Sequence, residues 1–211
     1  MSPRTKEQYE AIRKTRKAEI VEAARQVFAA QGFHATKMSE IAQEAGVSQG
    51  TLYHYFRGKD DLFMALLSTW TERLEQAVKG LPDCPTSAAE KLWRMNEVGL
   101  AFVSANEELL PVIVEFWAYA LHNPEAAASY RSLFQTMQQT CAAIIDEGIA
   151  NDEFKPIDVQ TLSALPLVVL DGVALLYLLV GKNLMDPEQM IKQTQQLVLG
   201  GLLSGPEEEL P

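Results

Sequence analysis

Apolar residues recur along this chain at the three-to-four spacing of a helix almost from end to end. Ile20, Ala23, Ala24, Val27 and Phe28 form one such face, and Gly32 supplies a left-handed stop behind it. Ile41, Ala42 and Ala45 mark a short helix that opens near Ser39 and closes at Gly46. Leu52, Tyr55 and Phe56 mark a second short helix. Phe63, Leu66, Leu67, Trp70, Leu74 and Val78 line one face of a longer one. The stretch "GLPDCPT", residues 80–86, then interrupts the pattern with two prolines. Beyond it helices are expected at about 87–105, 108–121, 124–149, 158–181 and 187–203. Asn123-Pro124-Glu125 and Asp186-Pro187-Glu188 each combine an N-cap, a proline at N1 and a carboxylate in the first turn, and Asp158 can cap the helix that follows it. No apolar/polar alternation is long enough for a strand. The expected fold is all-α, with about nine helices.

Charge adds an asymmetry to this picture. The net charge is -10, yet residues 1–59 carry ten Lys/Arg against six Asp/Glu, leaving eight against twenty-two for the remainder. A basic head of about +4 on an acidic body of about -14 keeps the electrostatic footprint of a nucleic-acid-binding module. Cys84 and Cys141 lie far apart without a C-x-x-C pairing, which suits reduced structural thiols. The N-terminus "MSPRTKEQYEAIRKTRK" lacks the apolar core of a secretory signal, so a cytoplasmic protein is expected. Leu162–Gly181 is apolar enough for a membrane span. Its Pro166 and central Asp171, the latter costing roughly 2.5–3.5 kcal/mol on insertion, point instead to a buried helix or a subunit contact, with no membrane partner.

Residues 46–56, "GVSQGTLYHYF", admit two incompatible readings. Gly46-Val47-Ser48-Gln49-Gly50 fits the G-x-S-x-G elbow of α/β-hydrolases, which needs a strand before the serine and an oxyanion loop. "SEIAQEA" before it is helical by spacing, and no HGGG-type loop exists. No catalytic residue, metal cluster or cofactor site is therefore assigned. In the second reading Gly46 allows the positive φ of a tight turn, Val47 tucks between two helices and Ser48 caps the second helix through the N–H of Gly50 or Thr51. Gly50 costs helix propensity roughly 1 kcal/mol relative to alanine, but its bare backbone permits close approach to DNA. Recognition helices present their first residues to base edges, which places Gln49, Gly50 and Thr51 at the groove floor and Tyr53 and His54 near phosphates.

The segment "IVEAARQVFAAQGFHATKMSEIAQEAGVSQGTLYHYFRGKDDLF", residues 20–63, resembles the TetR family of bacterial transcriptional regulators. Thr36, Ile41-Ala42, Gly46-Val47-Ser48, Gly50, Leu52-Tyr53, Phe56, Lys59 and Leu62-Phe63 fall where that family puts them. The resemblance implies a three-helix DNA-binding domain over 17–63 (helix-turn-helix about 39–58) and a ligand-binding and dimerisation body over 64–204. It further implies phosphate contacts from Thr36, Ser48, Tyr53 and Lys59, bases near Gln49, Gly50 and Thr51, and Lys37 as a further candidate. His54 replaces the aromatic of many relatives, which leaves its contact open. Residues 1–16 form a basic arm that either extends the first helix or reaches phosphates, and 205–211 an acidic tail expected to be disordered.

The expected partners are double-stranded operator DNA, a second copy of the chain and a small-molecule effector. Candidate pocket residues are the large and polar side chains of the body: Trp93, Asn96, Phe102, Phe116, Trp117, Tyr130, Phe134, Met137, Gln138, Asp171 and Tyr177. Asp171 needs a partner in its apolar helix, either a cationic ligand or a group in the dimer contact. Leu170, Val173, Leu197, Val198, Gly201 and Leu202 are the candidate dimer residues. Together these features imply a repressor released from a palindromic operator by a hydrophobic or amphipathic compound. A helical protein-interaction scaffold is the competing reading, and it leaves Gly50 and the basic head unexplained.

Overall fold

In a computed structural model, residues 5–203 are described, so Arg4 of the arm and the 205–211 tail lie outside them. Thr5 opens the first helix through a reciprocal cap: its hydroxyl accepts from Gln8 N–H at 3.3 Å, and Gln8 Oε1 accepts from Thr5 N–H at 3.0 Å. Helix α1 then runs Lys6–Ala35, so the arm extends it, and Ile20 is the first buried residue. Gly32, at φ 77°, kinks α1 close to its end.

The remaining elements are α2 (Met38–Glu44), α3 (Gln49–Tyr55), α4 (Lys59–Lys79), α5 (Ala88–Ala105), a 3-10 turn (Glu107–Leu109), α6 (Leu110–Ala120), α7 (Pro124–Ala150), α8 (Val159–Leu162), α9 (Leu165–Val180) and α10 (Pro187–Leu202). Among the described residues strand pairing is limited to one antiparallel bridge, Phe154 to Leu203. The expected caps form: Asn123 Oδ1 accepts from the N–H groups of Glu125 and Ala126, Asp186 from Gln189 and Asp158 from Thr161. The helix expected over 158–181 is instead two, broken at Ser163 and Ala164. Pro166 has no N–H to give the Leu162 carbonyl, so the ladder cannot continue across it. Taken together, Val159–Val180 has the length and mean hydropathy, 2.2, of a membrane-crossing segment by composition alone.

The chain packs as two compact units that are not divided at a single point in sequence. The first holds the chain up to Trp70 together with Pro111–His122. Its centre is aromatic: the Phe33 and Phe63 rings lie 4.3 Å apart, Phe28 meets Phe63 edge-on at 5.5 Å, and Tyr119 of α6 meets Phe63 at 6.0 Å. Ile20, Ile41, Leu52, Phe56 and Leu62 complete this core.

The second unit comprises Thr71–Leu110 and the chain from Asn123 onward. Lys91 of α5 is only 3% exposed, and its ammonium reaches both Glu147 carboxylate oxygens at 2.6 and 2.7 Å and the Pro82 carbonyl at 2.8 Å. Glu153 caps α5 from outside that helix, accepting from Ala88 and Ala89 N–H at 2.8 and 2.7 Å. Gly148 lets the Phe154 ring press on α7, where an added Cβ would stand 2.2 Å from it.

Candidate nucleic-acid interface and effector pocket

The turn between α2 and α3 is built by backbone chemistry. Gly46, at φ 62°, donates to Gln43 O at 3.1 Å, and Val47 donates to Ala42 O at 2.9 Å. This pair of bonds is a Schellman closure, with glycine at the left-handed position. Ser48 then caps α3, its Oγ accepting from Thr51 N–H at 3.0 Å and lying 2.9 Å from the Thr51 hydroxyl. Leu52 is the buried anchor of α3. Gln49, Gly50, Thr51, Tyr53 and His54 are all exposed, Tyr53 by 52%. A Cβ built on Gly50 would meet nothing nearer than Ser48 Oγ at 3.8 Å. Packing within the chain does not require glycine there. The residue leaves an uncrowded strip of helix surface facing outward.

Thr36 and Lys59 occupy a different setting. Thr36 is 3% exposed and its hydroxyl donates to Gly32 O at 2.7 Å. The Lys59 ammonium donates to the carbonyls of Phe33, His34 and Thr36 at 2.6, 3.0 and 3.0 Å and sits 4.6 Å above the Phe33 ring. From α6, Glu115 accepts from Phe33 N–H at 2.6 Å. These groups satisfy backbone left unpaired by the Gly32 kink and fix the end of α1 against the start of α4. Lys37 is exposed at the start of α2, where its N–H donates to Glu40. That bond, with Gln31 donating as well, lowers the Glu40 carboxyl below its ordinary range. Long-range locks such as Glu115 to Phe33 were not foreseeable from local spacing.

In the second unit Tyr130 of α7 donates its hydroxyl to Asp171 of α9, so Asp171 has a partner within its own chain. Burial pushes the Asp171 carboxyl up to about 7. Tyr177 donates to Glu107, which raises the phenol above its ordinary value. A cavity of about 40 Å³ lies among α5, α7, α8, α9 and α10. Asn96 lines it, and a smaller neighbouring void brings Asn96 together with Met137. Gln138 instead donates to the Gln160 carbonyl, and Trp93, Phe102, Tyr130, Phe134, Asp171 and Tyr177 lie outside both linings. Phe116 and Trp117 belong to the first unit. The walls are mainly aliphatic and include Leu92, Ile145, Leu165, Val169, Ile191 and Val198, which sequence reasoning passed over in favour of aromatics.

Of the candidate dimer residues, Leu197 is 79% exposed and Gly201 is exposed, while Val198 is half-buried. Leu170, Val173 and Leu202 pack into the core of their own chain. The exposed stripe of α9 runs instead through Val168, Gly172, Leu176 and Leu179, at helical spacing.

Residues 20–66 match the model of the bacterial regulatory proteins of the tetR family, and residues 88–202, more than half of the chain, match that of the BetI-type transcriptional repressor C-terminal domain. The chain belongs to the TetR family. This TetR-family protein is therefore a DNA-binding transcriptional regulator of helix-turn-helix type. It is 26% identical over 180 residues to the transcriptional regulator YfiR of Bacillus subtilis, covering 82% of this chain and 83% of that protein. Two solved structures share its fold. The regulator FadR from Bacillus subtilis, in complex with stearoyl-CoA, superposes with a TM-score of 0.72 at 23% identity, covering 87% of this chain and 98% of that one. A regulator from Saccharomonospora viridis in complex with choline gives 0.79 at 22% identity, covering 90% and 98%.

Proposed function

We propose that this TetR-family regulator is a cytoplasmic repressor that binds a palindromic operator as a homodimer and is released by a small hydrophobic or amphipathic effector. The observation that carries the DNA contact is the outward strip of α3 around Gly50, a helix position where glycine has no internal reason to be. Gln49, Gly50 and Thr51 meet base edges, while Ser48, Tyr53, His54 and Lys37 face phosphates. Thr36 and Lys59 brace the neighbouring end of α1 through side-chain bonds to its carbonyls. The BetI-type match favours repression over activation.

Dimer formation is supported by exposed apolar side chains on the last two helices, with Leu176 and Leu179 on α9 and Met190 and Leu197 on α10. Gly172 and Gly201 carry no atoms that would hold a partner helix away. Two copies place two recognition helices about one helical turn of DNA apart, some 34–36 Å, or a multiple of it. An effector that prefers a different spacing lowers operator affinity by its differential binding. No catalytic step is needed in this scheme.

The test is selection of bound fragments from the source genome, followed by fluorescence anisotropy at several salt concentrations. A palindromic site with a steep negative salt slope is expected. Failure to hold any duplex at low ionic strength would remove the proposal.

A further inference from the structure

One stripe of α1 changes character where the core ends. Ile20, Ala24 and Phe28 follow one another at helical spacing and are fully buried. Carried back toward the N-terminus by steps of three, four and seven, the same stripe reads Lys17, Arg13 and Lys6, with Lys14 beside it. All four cations are exposed. Among the described residues none of them forms an ion pair, although Glu10 lies within one turn of Arg13 and Lys14. Elsewhere on α1 the cations are matched: Arg16 holds Glu19 and Arg25 holds Glu22, each at 2.8 Å. Arg13 and Lys17 stand four apart with like charge, an arrangement unfavourable to an isolated helix. Neither packing nor pairing within the chain accounts for this stripe, and the tetR-family match begins only at residue 20.

Lys17 fixes where the stripe lies. Its ammonium sits 5.4 Å above the Phe56 ring, and Phe56 is the C-cap of α3. The cations therefore start beside the end of the recognition helix and run outward along the part of α1 that overhangs the core. From Lys6 to Lys17 is about 16 Å at 1.5 Å per residue. Over that distance one strand of a duplex presents about five phosphates. We infer that the outer half of α1 is a second DNA-contacting surface, which lays Lys6, Arg13, Lys14 and Lys17 along the phosphates beside the groove that α3 enters. The contact carries no sequence information and leaves base edges to Gln49, Gly50 and Thr51. It raises affinity for any duplex and holds the register of α3. The charge balance gives it weight. Beyond residue 59 eight Lys/Arg face twenty-two Asp/Glu, so attraction to DNA falls to the head, and four of the ten cations there belong to this stripe.

The inference rests on the DNA-binding reading above. The experiment uses the full chain and two labelled duplexes: one of mixed sequence, three helical turns long, and the palindrome selected from the genome. Anisotropy is read from about 50 to 200 mM salt. The triple variant Lys6→Gln, Arg13→Gln, Lys14→Gln removes three charges, keeps residues that suit a helix and touches no buried group. Each lost phosphate contact takes about 0.9 from the slope of log K against log salt, so the slope is expected to shrink by about 2–3 on both duplexes. Affinity at the lowest salt falls at least tenfold. Glu10→Lys, which adds a cation to the stripe, steepens the slope by about 1. Arg16→Gln, away from the stripe, leaves it nearly unchanged. An unaltered slope in the triple variant overturns the proposal. So does an equal loss per charge from Arg16→Gln, which would reduce the effect to net charge. A loss confined to the palindrome overturns it as well, because a phosphate contact acts on every sequence.

The two readings fail separately. Wild type and triple variant that hold both duplexes alike sink the stripe and keep the regulator. Binding that depends on the stripe but ignores Gln49→Ala on the palindrome sinks base reading by α3 and keeps the stripe.

Discussion

Asp171→Asn keeps the shape of the side chain and removes its titration, so it isolates the cost of holding a carboxylate in an apolar helix. Burial raises this carboxyl from an ordinary 3.8 to about 7. The hydroxyl of Tyr130 favours the charged form, but one neutral donor does not offset the loss of water. A raised folded pKa fixes the sign. The stability contribution is fully present below pH 3.8, falls as pH rises toward 7 and stays lost above it. A difference of about three units at about 1.4 kcal/mol each gives about 4 kcal/mol across the whole window. Between pH 5 and pH 8 the portion lost is about 2–3 kcal/mol by the same slope.

The assay is urea unfolding of wild type and Asp171→Asn at half-unit steps from pH 4.5 to 8. Groups common to both, including the lowered Glu40 and Asp158 carboxyls, cancel in the difference. The variant is expected to overtake the wild type steadily as pH rises and to level off above 7. Parallel stability curves would refute the assignment of a near-neutral pKa to Asp171.

Gly50→Ala gives effects of opposite sign: α3 gains up to about 1 kcal/mol in helix propensity, whereas operator affinity falls at least tenfold, read by urea melts and by anisotropy on the same preparation. Lys91 and Glu147 are not symmetric. Glu147→Ala strands an ammonium that is 3% exposed and is expected to cost about 3–5 kcal/mol, whereas Lys91→Met is expected to cost about 1 kcal/mol or less, both by denaturant midpoint. Leu179→Glu or Leu197→Glu leaves the core of the chain intact, since both are largely exposed, and is expected to give a folded monomer with weakened operator binding in sedimentation and anisotropy. Val173→Ala, in contrast, destabilises the chain, by roughly 1–2 kcal/mol, without changing its oligomeric state.

The DNA-binding motif was legible because its cues are local. Gly46, Val47 and Ser48 each act within five residues, and their backbone bonds follow from residue type alone. The break before Pro166 was equally local, but the apolar pattern around it masked the missing N–H. Faces of α9 were harder to assign. A helix that is apolar all round has no polar side to orient it, so Leu170 and Val173 could not be told from Leu176 and Leu179 by spacing. The cavity of the second unit was the least legible. Sequence marks aromatic and charged side chains, whereas this cavity is an absence of atoms among ordinary Leu, Ile and Val. The engagement of Lys59 by three carbonyls and of Phe33 N–H by Glu115 is set by partners 23 to 82 positions away.

The outer half of α1 has a consequence of its own. From Lys6 to Glu19 no side chain is buried, so this stretch, about 21 Å at 1.5 Å per residue, has little beyond the Lys17 ammonium over the Phe56 ring to hold its coil. It persists because the turns rooted beyond Ile20 supply the nucleus that a free peptide of this length would lack. Amide protons should therefore swap with deuterium fastest near Lys6 and ever more slowly toward Ile20. Heat or a protease should whittle the rod from its tip while the rest of the molecule stays whole.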